Sequence, residues 1–191
     1  AAGYVFSLDA IQQCIIPQEE LQNPDPNETY IIGLDIARVQ NFTVAIVMDS
    51  KGRVVHHKAM QGPWTAQAKA VAHLWEKFGK PTVVFDSTGV GDSFRPLLVQ
   101  EGVFPLKAID FRKYKTQLVE NLKVAIEEHQ ISFPNIPQLI KELQHFEAKE
   151  TPSGRIDYSG PRGVHDDYVF ALALAYWGLS KTERAPRIRV F

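Results

Sequence analysis

The stretch "TYIIGLDIARVQNFTVAIVMDSKGRVVHHKAM", residues 29–60, carries the strand signals from which the fold class is predicted. It contains two apolar runs rich in β-branched residues, 29–37 and 42–49, and such runs are typical of strands. Residues 50–52 form a turn signal, and residues 53–60 are predicted as a third strand. Because the loops between these strands are short, the stretch predicts an antiparallel three-strand meander.

Helices and strands alternate after the meander. Apolar periodicity and the positions of Gly and Pro predict helix 64–78, strand 81–86, helix 92–100, strand 104–110, helix 116–128, helix 137–146, a hairpin or mobile loop over 149–163, and an apolar helix that begins at Asp166 and Asp167. We therefore expect an α/β fold in which a mixed sheet, made of the antiparallel meander plus parallel strands, is flanked by helices.

The composition is that of an ordinary globular domain. The 191 residues are 45% hydrophobic and 23% charged, and the net charge of −1 argues against a strongly basic nucleic-acid coat but leaves room for a local basic groove. The single cysteine, Cys14, excludes an internal disulfide framework and a thiolate zinc cluster. The longest uncharged apolar run, residues 168–179, is too short to span a bilayer, and no secretory signal is visible. We expect a cytoplasmic protein without a membrane partner.

Three segments are expected along the chain. Residues 1–28 combine an apolar patch with a stretch rich in Pro, Asn and acids, and they are interpreted as a peripheral interdomain connector or N-terminal extension. Residues 29–180 form the α/β domain, and residues 181–191 form a basic C-terminal tail.

Four acids lie beside sequence that predicts a core. Asp35 is inside the first strand, Asp86 ends the strand 81–86, and Asp166 and Asp167 start the last helix. Carboxylates are rarely buried without a partner, and bringing them together raises their pKa values through mutual repulsion. A divalent cation removes that conflict, and hard carboxylate oxygens without thiolates select Mg²⁺ or Mn²⁺. If the topology gathers these positions, the pattern favours a metal site.

Ordinary structural roles are the alternative for each acid. Asp35 would pair with Arg38 or mark a bulge, and Asp86 would hydrogen-bond the turn amides that follow it. Asp166 would cap the last helix while Asp167 complements the helix dipole.

The glycines in "DSTGVGDS", residues 86–93, raise two further possibilities for Asp86. A phosphate-binding loop is excluded because the stretch has no lysine where such a loop needs one. A phosphatase with an aspartyl nucleophile would carry a second Asp two positions on, where Thr88 stands. Gly89 and Gly91 instead suit a tight turn from strand to helix.

Four stretches resemble successive motifs of one protein family. "GLDIARVQNFTVAIV", "VVFDSTGVG", "FRKYKTQLVENLKVAIEEHQISFPN" and "GPRGVHDDYVFALALAYW" are similar to the nuclease domain of tailed-bacteriophage terminase large subunits, over residues 29–179. The resemblance implies a ribonuclease H-like fold, which Holliday-junction resolvases and transposases share. Full-length members carry an N-terminal packaging ATPase, whose Walker lysine motif does not occur in this sequence.

The resemblance also assigns roles to the acids. Asp35 would bridge two Mg²⁺ or Mn²⁺ ions, Asp86 would hold one of them, and the pair at the helix start would hold the other. Asp166 is the preferred direct ligand of that pair, and Asp167 would bind through water or cap the helix. His165 would act in the outer sphere or handle a proton, although a surface-turn histidine is the ordinary alternative.

One position departs from the family pattern. Terminases commonly carry an Asp where this chain has Asn41, six residues after Asp35. An amide oxygen still coordinates a cation but brings no charge, so Asn41 is expected to be a weak metal ligand.

The implied activity is two-metal hydrolysis of double-stranded DNA with little sequence preference. Two ions roughly 3.5–4 Å apart would clamp the scissile phosphate, leaving 5′ phosphate and 3′ hydroxyl ends. Basic residues that would contact phosphate, or else remain ordinary solvated charges, are Arg38, Arg112, Lys113, Lys115, Arg155 and Arg162. Lys115 is the strongest candidate because it matches a lysine frequent in the family motif. Implied partners are the packaging ATPase domain of the same polypeptide, the small terminase subunit and the portal protein, in the host cytoplasm.

Three other functions compete with this one. A junction resolvase or transposase-like nuclease would share the fold and prefer branched DNA. An actin-like sugar kinase or ATPase would need glycine- and threonine-containing phosphate loops, which "DIARVQN" lacks. A metal-independent module that binds DNA or the portal would use the acids only structurally.

Overall fold

The computed structural model describes residues 3–38 and 41–183. In chain order its elements are β1 (Gly3–Tyr4), α1 (Leu8–Cys14), β2 (Tyr30–Asp35), β3 (Thr43–Asp49), β4 (Val54–Met60), α2 (Trp64–Lys77), β5 (Thr82–Asp86), α3 (Val90–Gln100), β6 (Leu106–Ile109), α4 (Phe111–Glu127), α5 (Pro137–His145), β7 (Glu147–Glu150), β8 (Ile156–Ser159) and α6 (Asp167–Glu183).

The central sheet is five-stranded and mixed, with strand order β4-β3-β2-β5-β6. Strands β2, β3 and β4 form the antiparallel meander that the opening stretch predicts. Strands β5 and β6 run parallel to β2. The predicted α/β fold is therefore confirmed, and β1, β7 and β8 add a small second sheet.

Helices cover both faces of the central sheet. Along β2 the side chains alternate, with Ile32 and Leu34 in the hydrophobic cluster that includes α2 and α3. Ile31 belongs to the other cluster, which includes α1, α4, α5 and α6. Asp35 has the same parity as Ile31 and Gly33, so the pleat directs it to the α6 face.

Gly33 allows α6 to lie directly against β2. A Cβ atom at this position would overlap the carbonyl oxygen of Ala171 and lie 2.5 Å from the nitrogen of Ala175. Since only a residue without a side chain permits this approach, Gly33 sets the distance between the central strand and the helix that carries the last two acids.

The N-terminal segment is part of the globular unit. Strand β1 pairs with β7, and the side chains of Phe6, Ile11 and Cys14 are buried in the cluster on the α6 face. A peripheral position was the wrong expectation for these residues, because their apolar side chains fill a gap beside α4 and α5. The proposed boundary at residue 28 stays a prediction.

Some element boundaries differ from the sequence-based expectation. Helix α4 begins at Phe111 rather than at residue 116, because the Asp110 side chain caps it by accepting a hydrogen bond from the Arg112 N–H at 2.9 Å. Helix α3 begins at Val90 rather than 92. Residues 149–163 contain the turn and second strand of the β7–β8 hairpin.

The C-terminal tail lies largely beyond the described residues. The last helix ends at Glu183, and the predicted basic segment continues through residues 184–191, outside the described range. Among the described helices, none combines the length and the apolar character that crossing a bilayer requires.

Candidate active site

The central strands bring Asp35 and Asp86 to one edge of the sheet. In the parallel pairing of β2 with β5 the last register pair is Leu34 with Phe85, and the next residue on each strand is one of the two acids. Because parallel neighbours with the same register direct their side chains to the same face, both carboxyl groups lie on the side covered by α6.

Helix α6 brings the other two acids to the same place. Asp167 is its first residue and Asp166 precedes it. The charges of Asp167, Asp166 and Asp86 all act on the carboxyl group of Asp35. The four acids predicted from the sequence therefore converge in space, and their role as metal ligands stays a prediction.

Asp35 is the most strongly perturbed of the four. Burial raises its pKa well above the usual range, and repulsion from Asp167, Asp166 and Asp86 raises it further. A hydrogen bond between the Asp35 and Asp167 side chains also favours the neutral form of Asp35. Burial, repulsion and this bond together oppose ionisation of Asp35 as long as no cation is bound.

The pKa of Asp167 is also raised. Burial and the neighbouring Asp166 raise the pKa of Asp167 to about 6, while His165 and the hydrogen bond with Asp35 act in the opposite direction. The His165 Nδ1 atom lies 3.7 Å from Asp167 Oδ2. The hydrogen bond between the two side chains therefore favours the neutral form of Asp35 and the ionised form of Asp167.

A tight turn fixes Asp86. Its Oδ1 accepts hydrogen bonds from the Thr88 N–H at 2.8 Å and from the Thr88 hydroxyl. Burial raises its pKa, against the lowering effect of these bonds and of the Phe111 N–H. Gly89 has a φ of 60°, and a Cβ at Gly91 would overlap the Asp86 carbonyl oxygen, so both glycines are needed for this turn.

The chemistry of these donors fits a hard divalent cation. All four are carboxylates, and their mutual repulsion makes positive charge favourable between them. Within residues 3–38 and 41–183, however, no three His, Cys, Asp or Glu side chains are arranged to hold one ion. Coordination by these residues therefore requires their side chains to move closer together.

Comparison with known proteins identifies the family. The family model described as the terminase RNaseH-like domain matches residues 32–178. The chain belongs to this terminase family. The large terminase subunit of Thermus virus P23-45 is 35% identical over 157 residues, which are 79% of this chain and 32% of that protein. The chain thus spans about a third of the length of this relative.

Solved terminase structures have the same fold. The large terminase nuclease from thermophilic phage G20c superposes with a TM-score of 0.83 at 30% identity, covering 91% of this chain and 97% of that one. Crystal structures of the same nuclease with bound magnesium and with bound cobalt give TM-scores of 0.82 and 0.81, at 30% and 29% identity, each covering 91% of this chain and 96% of that one. The ribonuclease H-like fold is therefore confirmed.

Of the two further predicted site residues of the terminase domain, His165 lies beside Asp167 and Asn41 lies in a neighbouring groove. The His165 side chain is about half exposed and its ring stacks edge-on against Phe42, with 6.3 Å between ring centroids. Asn41 lies with Arg38, Gln61 and Trp64 in the wall of a 530 Å³ groove. The structure records no contact that joins Asn41 to the acids among the described residues, so its role as a weak ligand stays a prediction.

The predicted DNA-contacting residues fall into two groups. Arg112 forms an ion pair with Asp110 at 3.2 Å, and its charge also acts on Asp86. Lys115 forms an ion pair with Asp157 at 3.3 Å and lies over the Phe170 ring. The remaining candidates, all of them exposed residues, are Arg38, Lys113, Arg155 and Arg162. Lys115 therefore already has a structural role between α4 and the β7–β8 hairpin.

Sequence reasoning missed Glu142. Its side chain is buried, with the residue only 1% exposed, and it accepts a hydrogen bond from the Tyr168 N–H at 2.8 Å. Burial raises its pKa to about 7, and repulsion from Asp167 contributes. The available signal was its position on the apolar face of α5, between Leu139 and Leu143, where an acid is unusual.

Proposed function

We propose that this terminase domain is a metal-dependent endonuclease that cuts double-stranded viral DNA with little sequence specificity during genome packaging. The observation that carries the proposal is the convergence of Asp35, Asp86, Asp166 and Asp167 from two parallel strands and a helix start. The relatives from phage G20c, which are nucleases whose structures contain magnesium or cobalt, support the same conclusion.

The four carboxylates would hold two Mg²⁺ or Mn²⁺ ions, which supply positive charge for the attacking and leaving oxygens of a phosphodiester. The raised pKa values of Asp35 and Asp167 oppose ionisation of the metal-free site, and positive charge between the acids would favour the ionised forms that bind metal. The turn at Thr88 keeps the Asp86 carboxylate at the edge of the sheet.

Basic residues around the acids would hold the DNA backbone. A guanidinium nitrogen of Arg38 lies close to Gly89, beside the turn that follows Asp86. Arg112 is in the first turn of α4, and its guanidinium is 81% exposed. Because these cations would neutralise phosphates rather than contact base edges, they favour cutting with little sequence preference.

The proposal also includes a role in genome packaging, with further domains and partner proteins. Since the P23-45 relative is about three times as long as the matched region, we infer an ATPase domain in the same polypeptide, with the small terminase subunit and the portal protein as partners. The site of action would be the host cytoplasm. Cleavage would leave 5′ phosphate and 3′ hydroxyl ends.

Plasmid digestion tests the proposal. The wild type is expected to nick and linearise supercoiled DNA with Mg²⁺ or Mn²⁺ and to be inactive in EDTA. Asp86→Asn is expected to abolish cutting, whereas Asp92→Asn, which changes an exposed acid in the first turn of α3, is a matched control that keeps activity.

Three results would contradict the proposal. Cleavage that survives EDTA or the Asp86→Asn change would exclude these acids as the metal-binding centre. A strong preference for branched over linear duplex would favour a resolvase-like nuclease. Absence of Mn²⁺ binding together with DNA binding would favour the non-catalytic module.

A further inference from the structure

The start of helix α6 is capped by a side chain from another helix. Glu142, on α5, accepts a hydrogen bond from the Tyr168 N–H at 2.8 Å, and the Val169 N–H also donates to it. Its second oxygen, Oε2, accepts a hydrogen bond from Gln138 Nε2 at 2.8 Å. Both carboxyl oxygens are therefore fixed, and both bonds to α6 are made by the residues that follow Asp167.

These N–H groups are the ones that Asp166 would normally cap. Asp166 is in the N-cap position, since its carbonyl oxygen accepts a hydrogen bond from the Phe170 N–H at 3.1 Å. An N-cap side chain usually accepts from the second or third N–H of the helix, here Tyr168 and Val169. In this structure the Asp166 carboxylate instead accepts from the Gly160 N–H at 3.2 Å.

We propose that Glu142 is a positioning residue of the nuclease site, because it caps α6 in place of Asp166 and so leaves the Asp166 carboxylate available to bind metal beside Asp167. This inference rests on the proposed function. Glu142, Asp167 and His165 line one cavity of 180 Å³, so the cap and the acids belong to the same compact region. Because an N-cap side chain is the usual acceptor for these N–H groups, loss of Glu142 is expected to turn the Asp166 side chain towards them.

A cap with only a structural role would change stability but not metal affinity. A positioning role predicts both effects, because loss of the cap turns Asp166 away from the other acids. Outer-shell partners of metal ligands typically contribute about 10–100-fold in metal affinity. Metal affinity measured apart from DNA cleavage therefore separates the two roles.

The test is Mn²⁺ titration calorimetry on the 191-residue chain after EDTA treatment and dialysis. Glu142→Ala is expected to weaken Mn²⁺ binding by about 10–100-fold. Glu142→Gln keeps an acceptor oxygen for the Tyr168 N–H and is expected to bind Mn²⁺ nearly as well as the wild type. Leu143→Ala, a buried neighbour on the same helix, is the control that lowers stability without weakening binding.

Each result either supports or overturns the proposed role of Glu142. Equal Mn²⁺ affinity in Glu142→Ala and the wild type overturns it and leaves the proposed function standing, whereas a wild type that binds no Mn²⁺ overturns both. If Glu142→Ala does not fold, Glu142→Asp replaces it, since the shorter side chain withdraws the acceptor but keeps the charge. A crystal structure of the variant gives an independent result: Asp166 is expected to bond the Tyr168 or Val169 N–H, and an unchanged Asp166 overturns the inference.

Discussion

Replacing Asp167 by Asn is expected to stabilise the metal-free domain at pH 8 while abolishing cleavage. The folded structure raises the pKa of Asp167 from 3.8 to about 6, and each tenfold change in proton affinity corresponds to about 1.4 kcal/mol. Ionised Asp167 therefore costs the folded state on the order of 3 kcal/mol. Since 1 kcal/mol moves the melting temperature of a domain of this size by about 2–4 °C, the variant is expected to melt up to about 10 °C higher.

The pH dependence of this gain has a definite sign. The pKa of Asp167 is 3.8 in the unfolded chain and about 6 in the folded chain. Below pH 3.8 protonated Asp167 contributes its full stabilisation of the folded state, and this contribution is lost as the pH rises through about 6. The advantage of Asp167→Asn should therefore be largest at pH 8 and shrink towards pH 4. Thermal unfolding followed by circular dichroism in EDTA, at pH 8 and pH 5, measures both values.

Asp92→Asn is the matched control, because Asp92 is also in the first turn of a helix but is exposed. It is expected to change the melting temperature little at either pH. An Asp167→Asn variant that melts at or below the wild-type temperature at pH 8, or that gains more at pH 5, would refute the idea that burial and repulsion from Asp166 make ionised Asp167 unfavourable in the folded state.

Three further predictions concern the surroundings of the site. Gly33→Ala is expected to destabilise the domain by about 1–3 kcal/mol or more, because its Cβ would overlap α6; an unchanged denaturation midpoint would contradict the close packing. Thr88→Val removes the hydroxyl that donates a hydrogen bond to Asp86, and because this bond lowers the pKa of Asp86, that pKa should rise. The pH at which cleavage reaches half its maximum should then rise as well, and an unshifted pH profile would count against this bond. Lys115→Ala is expected to weaken cleavage while the domain stays folded. Asp157→Asn is the control, because it removes the same ion pair but leaves the lysine cation. Equal cleavage by Lys115→Ala and the wild type across salt concentrations would exclude a DNA contact.

Local sequence was sufficient to predict the strands of the central sheet and the positions of Asp35 and Asp86 on them. The strands around Asp35 and Asp86 are short apolar runs with clear ends, so their secondary structure follows from the residues themselves. The parallel arrangement of their carboxyl ends then follows from the order of strands and helices. Asp86 both bonds the turn at Thr88 and faces the other acids, so the two roles weighed from the sequence are compatible.

The contacts that sequence reasoning could not supply join distant parts of the chain. Glu142 reaches across 26 residues to the Tyr168 N–H, and a capping rule based on adjacent residues assigns that bond to Asp166 instead. The burial of Ile11 depends on a gap beside α4 and α5 that exists only after the helices pack. The Lys115–Asp157 ion pair likewise depends on how the β7–β8 hairpin folds over α4.

Anomalous diffraction from crystals of this domain grown with Mn²⁺ shows directly whether the four acids bind metal. We expect strong anomalous peaks between the ends of β2 and β5 and the start of α6, in contact with Asp35, Asp86 and at least one of Asp166 and Asp167. Manganese bound elsewhere, with these four carboxyl groups left without an ion, would contradict this expectation.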